Sequence, residues 1–312
     1  MKPVAVLYEH PEWFKPLFAA LERRGVAHEP LHAARLAFDP AERESPYSLV
    51  VNRMSPSAWT RGHADAIFPT LHYLAYLEEL GTPVLNGHGA YLMELSKARQ
   101  SALIAGLRLH TPRTRVIGDP ALAPEASRGL EFPVLVKPNI GGSGAGIRSF
   151  ETPEALEAAA PTLGLGLDGT ALVQEQLPAE GGFIVRVEIL DGRFLYAIRI
   201  LLAPGSFNLC PADYCELPGV VDGVSGRGLP IETYDPPEDV IEDAKSIVAA
   251  AGLDVGGVEY LVNARDGEPY YYDVNALSNF VANAPEVVGF DPFVDLVDLI
   301  IERAGLAERA AA

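Results

Sequence analysis

Cysteine is scarce in this sequence. The 312 residues include only two, Cys210 and Cys215. Two thiols cannot complete a structural zinc site, and so few in a large chain provide no disulfide framework. We therefore expect neither structural zinc nor disulfides, and we expect a reducing, cytoplasmic location.

Long apolar runs and basic side chains are also few. No run approaches the ~20 residues that a membrane span needs, and the apolar run in the amino-terminal MKPVAVLYEH is too short for the core of a signal peptide. Only 24 basic side chains oppose 42 acidic ones, which gives a net charge of −18. This charge repels phosphate backbones and anionic lipid surfaces, so we expect neither nucleic acid nor a membrane as a partner.

Strands alternate with helices over residues 1–85, where short apolar runs separate segments with apolar residues at helical spacing. This alternation predicts an α/β layer with a parallel sheet, and ligands of such sheets gather at the carboxyl ends of strands. Glu9 and His10 follow the first predicted strand, and Asn52 and Arg53 follow the third. They are candidates for binding substrate; the alternative is that they are solvated loop residues.

Residues 255–280, VGGVEYLVNARDGEPYYYDVNALSNF, predict a β-hairpin. A three-residue loop at 265–267, ending in a glycine, would set Glu259 directly opposite Asp273. Side chains alternate along a strand, so Asn275 would share their face. Carboxylate and amide oxygens are ligands that Mg²⁺ prefers, and a cation would relieve the repulsion of two opposed carboxylates. The alternative is chance alternation in a half-exposed hairpin.

A second informative stretch, FPVLVKPNIGGSGAGIRSF at residues 132–150, combines a strand-end lysine with a glycine-rich loop. Glycine lets backbone N–H groups approach an anion closely, and Lys137 adds a positive charge for phosphate. The Walker A pattern is absent, because no lysine follows the glycines. A glycine-rich hairpin tip without a ligand is the alternative. The loop contains Gly141, Gly142, Ser143, Gly144 and Gly146.

Polar residues of three later segments are weaker candidates. Glu175 and Glu180 flank an extended hinge, QLP, and can accept hydrogen bonds from an amino group or from ribose hydroxyls. Arg186 and Arg199 lie on two strands around Asp191-Gly192; a solvated sheet face would also explain them. Residues 203–228 have little periodicity and predict a substrate-facing loop that contains Asn208.

These features occur in the order seen in the ATP-grasp superfamily, and the chain resembles most its RimK-like group of amino-acid and peptide ligases. The resemblance covers residues 85–280 and is strongest at VLVKP-NIGGSGAGI, VQEQLP and GVEYL…YYYDVNALSNF; the segment NRMSPS at 52–57 adds to it. It implies an α/β protein with α+β lobes, in which an ATP-grasp fold follows a Rossmann-like (pre-ATP-grasp) parallel-sheet domain. We expect domains at 1–94, 95–179 and 180–312.

The resemblance also implies roles for individual residues. ATP phosphates would be contacted by Lys97 and Lys137 under the loop 141–146. Adenine would be contacted by Glu175 and Leu177, and ribose by Glu180. One or two Mg²⁺ ions, or Mn²⁺, would be held by Glu259, Asp273 and Asn275. The transferred phosphoryl group and the acyl intermediate would be stabilised by Arg199, Arg186 and Asn208. Substrate would be contacted by Glu9 and Arg53.

Two positions depart from the family pattern. Asp usually precedes Glu at the metal carboxylates, whereas here Glu259 precedes Asp273. Because the two residues would face each other, a longer side chain on one strand offsets a shorter one on the other. The group also often has Asp two residues before the arginine of its D-x-R segment, where this chain has Ile184.

The resemblance implies an ATP-dependent, ADP-forming ligase that joins a carboxylate to an amine through an acyl phosphate. Substrates would be amino acids or small peptides, and a homodimer is the expected assembly. Two alternatives remain: an ATP-grasp kinase that stops after phosphorylation of a small molecule, and a non-catalytic nucleotide-binding protein.

Overall fold

The computed structural model of the protein describes residues 2–10, 12–142, 144–202 and 231–306. Two residues with predicted roles, Ser143 and Asn208, lie outside these ranges, as does the predicted loop at 203–228. The described residues form three β-sheets with their own helices. No helix within these ranges is long and apolar enough to span a bilayer.

The first sheet is parallel, as predicted, with the strand order β2-β1-β3-β4. One of its faces packs on α1, and the other packs on α2, because apolar side chains of the buried strands alternate between the two faces. Its strands are β1 (Val4–Tyr8), β2 (His28–His32), β3 (Leu49–Arg53) and β4 (Val84–Leu85). The helices of this part are α1 (Lys15–Arg23), α2 (Ile67–Glu79), α3 (His88–Glu94) and α4 (Lys97–Gly106).

Residues 88–106 form two separate helices, α3 and α4, and not one continuous helix. The side chain of Ser96 accepts a hydrogen bond from the Arg99 N–H and so caps a new helix at Lys97. This break places Lys97 in the first turn of α4.

The second sheet is antiparallel, with the strand order β5-β8-β6-β7. Two short helices cover one of its faces, with Leu156 and Ala123 in the core between them. Its strands are β5 (Thr114–Ile117), β6 (Val134–Pro138), β7 (Arg148–Phe150) and β8 (Ala171–Glu175), and its helices are α5 (Ala123–Ala126) and α6 (Pro153–Ala159).

The third sheet is also antiparallel, with the strand order β11-β10-β9-β12-β13. One face packs on α7, and the other shares a core with α1, α9 and the first sheet. Its strands are β9 (Phe183–Leu190), β10 (Arg193–Leu201), β11 (Ile231–Thr233), β12 (Val255–Val262) and β13 (Pro269–Asn275). The helices of this part are α7 (Glu238–Ala250), α8 (Ala284–Val287) and α9 (Pro292–Arg303).

Asn86 joins the first sheet to the third. Its side chain donates to the carbonyls of Val255 and Ala276 and accepts from the N–H groups of Asp254 and Val255. It adopts a φ of +53°, which Asn tolerates better than most residues. Each sheet falls within one of the three predicted segments, and the boundaries at 94 and 179 stay predictions.

Candidate active site

A cleft of about 500 Å³ lies where the three sheets meet. This volume is within the range of small-molecule sites. The cleft contains side chains from all three parts of the chain, so it has a first-sheet side, a second-sheet side and a third-sheet side. Residues with predicted roles that line it are Lys97, Lys137, Gly141, Gly142, Gly144, Glu175, Leu177, Arg186, Glu259, Asp273 and Asn275.

The metal-binding residues predicted from the hairpin come together in the structure. Glu259 on β12 pairs directly with Asp273 on β13, and Gly257 pairs with Asn275. The Asn275 side-chain N–H₂ group donates to Glu259 Oε1 at 3.3 Å. Two carboxylates and one amide therefore share one face of the sheet at the cleft.

The pairing of Glu259 with Asp273 was predicted correctly, but the length of the loop between the two strands was not. Asn263 N–H donates to the Glu268 carbonyl, so four residues, not three, form the loop. As a result Tyr260 pairs with Tyr271, one position away from the prediction, and an irregularity between Glu259 and Tyr260 restores the predicted pairing. Such bulges are common where a sheet presents functional side chains.

The electrostatics of the pair suit a divalent cation. Burial and the neighbouring Asp273 carboxylate raise the pKa of Glu259 to about 7. Burial would also raise the pKa of Asp273, but Lys97 and Lys137 outweigh it and lower that pKa. A cation would remove the cost of holding two negative charges together, and carboxylate and amide oxygens are ligands that Mg²⁺ prefers. The residues present therefore fit Mg²⁺, although the described residues contain no group of three or more His, Cys, Asp or Glu side chains able to hold a metal.

Two lysines reach the cleft from different elements. Lys97 donates a hydrogen bond from Nζ to Asp273 Oδ1. Burial alone would lower the pKa of Lys97, but Asp273 outweighs it and the pKa is raised. Lys137, near the end of β6, is 5% exposed, and burial together with the charge of Lys97 lowers its pKa to about 7. An anionic ligand beside Lys137 would favour its protonated form.

Arg186 is the buried guanidinium of the third-sheet side. Its Nε donates to Glu188 Oε1 at 2.7 Å, its Nη1 to Glu259 Oε1 at 3.4 Å, and its Nη2 to Ser278 Oγ at 3.2 Å. A Cβ on Gly257 of the adjacent strand would lie 2.7 Å from Arg186 Nε, so only glycine leaves room for this side chain. Arg186 therefore reaches the metal-binding carboxylate although Ile184 replaces the usual Asp.

The structure does not bring Arg199 to the cleft, and this corrects its predicted position. In β10, Arg199 pairs with Val185, so its side chain points to the face that carries α7 and not to the face of Arg186. It donates to Glu232 Oε2 at 2.8 Å and lies over the Phe183 ring at 5.6 Å. Its side chain is 39% exposed.

The hinge residues also differ in part from the prediction. Leu177 lines the cleft, but the Glu175 carboxylate already accepts from Arg113 Nε at 2.8 Å and from the Glu131 N–H at 2.6 Å. Burial would raise the pKa of Glu175, yet these partners lower it. Glu180 lies in a short 3₁₀ turn, is exposed, and is not among the cleft-lining residues. Glu180 is therefore not at the cleft as predicted, whereas Glu175 lines the cleft with its Oε1 already bonded to Arg113 and Glu131, and its contact with adenine stays a prediction.

The two predicted substrate residues lie behind the cleft surface. Glu9 is 1% exposed; Arg61 Nε donates to its Oε2 at 3.0 Å and His63 Nδ1 lies 2.5 Å from its Oε1. Burial would raise the pKa of Glu9, but these two partners lower it. Arg53 is fully buried and donates from Nη2 to the Ser278 carbonyl. Glu9 is thus paired inside the protein and Arg53 is enclosed by it, which sequence patterns do not reveal.

The cleft is completed by residues for which no specific role was predicted from the sequence. Glu94 accepts hydrogen bonds from the Ala276 and Leu277 N–H groups, and burial with the nearby Asp273 raises its pKa to about 7. On the first-sheet side the cleft is lined by Trp13, Ser55 and Ser57. The two serines belong to the NRMSPS segment, so the motif was recognised although its individual residues were not. Trp13 and Glu94 carried no signal beyond helical spacing.

No family model matches the chain. Among curated proteins, it is 30% identical over 132 residues to a probable alpha-L-glutamate ligase of Teredinibacter turnerae, with 42% of this chain and 44% of that protein aligned. It is 27% identical over 274 residues to a D-alanine–D-alanine ligase of Geobacter sulfurreducens, with 82% of each chain aligned. The chain thus spans less than half of the first relative and most of the second.

Solved structures match over nearly the whole chain. D-cycloserine synthetase DcsG superposes with a TM-score of 0.71 at 19% identity, with 96% of this chain and 99% of that one covered. The ATP-grasp ligase PsnB, in a complex with Mg and ADP, gives 0.68 at 20% identity, covering 97% and 99%. A RimK domain ATP-grasp protein from Sphaerobacter thermophilus gives 0.64 at 19% identity, covering 97% of each chain.

These likenesses confirm the predicted fold: the chain has an ATP-grasp fold with a parallel sheet at its amino-terminal end. The resemblance to RimK-like ligases, predicted from four motifs, agrees with the similarity to the alpha-L-glutamate ligase and to the RimK domain protein.

Proposed function

We propose that this protein is an ATP-dependent, ADP-forming ligase that joins a carboxylate to an amine. The observation that carries this proposal is the opposition of Glu259 and Asp273, with Asn275 beside them, in a cleft that also contains Lys97 and Lys137. Such a site combines acidic and amide oxygens for Mg²⁺ with positive charges for a triphosphate. The ligase names of the relatives support the same reading.

In the first step, a carboxylate oxygen of the substrate attacks the γ-phosphorus of ATP. The bond from this phosphorus to its bridging oxygen breaks, and ADP leaves. Phosphoryl transfer depends on positioning and charge neutralisation more than on covalent help from the protein. Lys137, which lines the cleft, would take a phosphate charge, and Lys97 would exchange Asp273 for a phosphate oxygen. Mg²⁺, when bound by Glu259, Asp273 and Asn275, supplies positive charge that neutralises phosphate oxygens.

In the second step, the amine attacks the acyl carbon of the acyl phosphate. It loses a proton, inorganic phosphate leaves, and an amide remains. Arg186 lines the cleft beside Glu259 and would stabilise negative charge on the acyl group. The apolar walls formed by Leu135, Ile147 and Leu261 exclude water, which matters because acyl phosphates hydrolyse.

The adenine would be held by the backbone of the hinge, because Glu175 already has Arg113 as its partner. Leu177, which lines the cleft, would contact the purine ring. We further propose an amino acid or a small peptide as the substrate. The finer expectations of a cytoplasmic location, a homodimer and use of Mn²⁺ stay predictions.

The test is ADP release measured against paired libraries of amino acids and carboxylates, with hydroxylamine present in a parallel reaction. We expect ATP-dependent formation of a hydroxamate, because hydroxylamine traps an acyl phosphate, and an amide in its absence. ADP release with a phosphorylated product but no hydroxamate would instead identify a small-molecule kinase. Nucleotide binding without turnover across the panel would identify a non-catalytic protein.

A further inference from the structure

Gly142 of the glycine loop packs against Ser57, which belongs to a 3₁₀ turn (Pro56–Arg61) directly after β3. A Cβ built on Gly142 would lie 2.6 Å from Ser57 Cβ and 3.1 Å from Ser57 Cα. The φ of Gly142 is not in the left-handed region. A glycine is therefore required here because there is no room for a Cβ, and not because of the backbone conformation. The second-sheet and first-sheet sides of the cleft therefore touch at this pair.

Ser57 has no room to retreat from such a side chain. It is 2% exposed, its N–H donates to Ser55 Oγ at 3.1 Å, and its own Oγ lies 2.7 Å from Ser55 Oγ. Arg61 Nη1 donates to Ser57 Oγ at 3.3 Å, and Arg61 is itself held by three hydrogen bonds to Glu9 and by the Trp13 ring at 5.2 Å. Since backbone atoms form part of the contact, a rotamer change cannot relieve the clash.

We propose that Gly142 and Ser57 are positioning residues. Their contact holds the glycine loop against the first-sheet side and closes the cleft between the nucleotide phosphates and the acceptor substrate. Both residues line the cleft. The same cleft is lined by Lys137 from the second-sheet side and by Ser55 and Trp13 from the first-sheet side. The pair would thus form part of the wall between the phosphates and the acceptor.

This arrangement makes the two binding events interdependent. The loop that would cover the phosphates is held by the turn that would contact the acceptor, so a ligand that orders one of them also favours the other. Such coupling is reciprocal: the acceptor raises the affinity for ATP by the same factor by which ATP raises the affinity for the acceptor. An unseated loop would also admit water to the acyl phosphate.

The first experiment tests whether the loop is held against the turn at 56–61, and it needs neither a ligand nor enzymatic activity. Hydrogen exchange in the ligand-free protein is compared for wild type, Gly142→Ala, and the double variant Gly142→Ala with Ser57→Gly. We expect Gly142→Ala to speed exchange in the loop and in the turn at 56–61. We expect Ser57→Gly to restore slow exchange in part, because it removes the atom that would lie 2.6 Å away but leaves Ser57 Cα at 3.1 Å. Gly164→Ala, in the same part of the chain and with no atom within 4 Å of its Cβ, is the matched control and should leave both segments unchanged.

The second experiment measures the coupling, and it rests on the proposed ligase function. We expect Gly142→Ala to raise the KM for ATP by about tenfold and to form more ADP than amide, while the double variant recovers much of both. If hydrogen exchange in Gly142→Ala equalled that of wild type, the contact with Ser57 would not hold the loop in place. If hydrogen exchange became faster while the ratio of ADP to amide stayed unaltered, the contact would have no role in closing the cleft. Failure of wild type to form hydroxamate would count against the ligase function alone, since the exchange experiment does not depend on turnover.

Discussion

Lys97 and Asp273, which are 176 residues apart in sequence, are joined by a hydrogen bond inside the cleft. The bond connects the start of α4 to the hairpin that carries Glu259 and Asp273. A lysine in this position compensates the acidic pair, and under the proposed function it would release Asp273 when a nucleotide and a metal ion bind. The proposed metal site can therefore be tested most directly at Asp273.

We expect Asp273→Asn to lower Mg²⁺-dependent ADP release by at least about 100-fold, a loss typical of removing one group that stabilises transition-state charge. The amide keeps the size of the side chain but lacks the charge that attracts the cation. Steady-state ADP release as a function of Mg²⁺ concentration measures the effect.

Asp266→Asn is the matched control, since Asp266 lies in the exposed loop of the same hairpin. It should release ADP close to the wild-type rate. If Asp273→Asn turned over ADP as fast as this control, the metal site assigned to the hairpin would be wrong.

The second prediction concerns proton uptake when ATP binds. Lys137 has a pKa of about 7 because it is buried beside Lys97, so it is mostly neutral at pH 8. Phosphate charge favours the ammonium form, and binding at pH 8 should therefore take up a proton. The affinity for ATP should fall as pH rises above 7, by at most about tenfold per pH unit.

Calorimetric titration in buffers with different ionisation enthalpies measures this uptake directly. Lys137→Met should abolish it, whereas Lys97 has a raised pKa and is already charged before ATP binds. Equal heats in all buffers at pH 8 would show that Lys137 does not titrate on binding.

Elements with strong local patterns were predicted closely. β1 coincides with a continuous apolar run, VAVLY, and Gly25 and Gly252 adopt the positive φ that ends a helix. Apolar spacing alone could not locate the break before Lys97, because a capping serine interrupts a helix without changing the hydrophobic pattern.

Side-chain partners from distant segments were the harder part of the site. Glu9 is paired with Arg61, 52 residues away, and Arg53 donates to the Ser278 carbonyl, 225 residues away. No local pattern encodes these contacts. Glu259 and Asp273 were placed correctly because strand pairing is a local property of a hairpin, and because a longer loop and a bulge offset each other.

A third prediction tests Glu94 as a support of the segment after β13. Glu94→Ala should lower the free energy of unfolding by about 1–3 kcal/mol, because the N–H groups of Ala276 and Leu277 lose their acceptor. Glu94→Gln keeps an acceptor oxygen and should lose less. Urea denaturation measures both variants, and equal stabilities of the Ala and Gln variants would contradict this role.

Glu94 should also make the free energy of unfolding depend on pH. The folded-state pKa of Glu94, about 7, lies above its ordinary value of 4.5, so the folded protein binds more protons between these values. The contribution of Glu94 to stability is therefore present at pH 4.5 and is lost as the pH rises through 7. Glu94→Gln cannot ionise, so its stability relative to wild type should improve from pH 5 to pH 8. An unchanged difference would show that Glu94 is ionised throughout.

The last prediction separates the two arginines that the family resemblance assigned to catalysis. Arg186 is 5% exposed and neutralises Glu188 and Glu259. Arg186→Met leaves these buried carboxylates without the cation that pairs with them, and breaking such a pair costs about 3–5 kcal/mol. Arg186→Lys keeps the charge but not the three directed hydrogen bonds, so we expect a folded protein with a much lower kcat.

Arg199→Ala removes only a half-exposed pair with Glu232 on the opposite face of the sheet. Such pairs contribute at most about 1 kcal/mol, and ADP release should stay close to wild type. Measuring kcat and thermal stability for both arginine variants checks the assignment. A large loss of kcat in Arg199→Ala, with unfolding unchanged, would mean that β10 turns Arg199 toward the cleft when nucleotide binds.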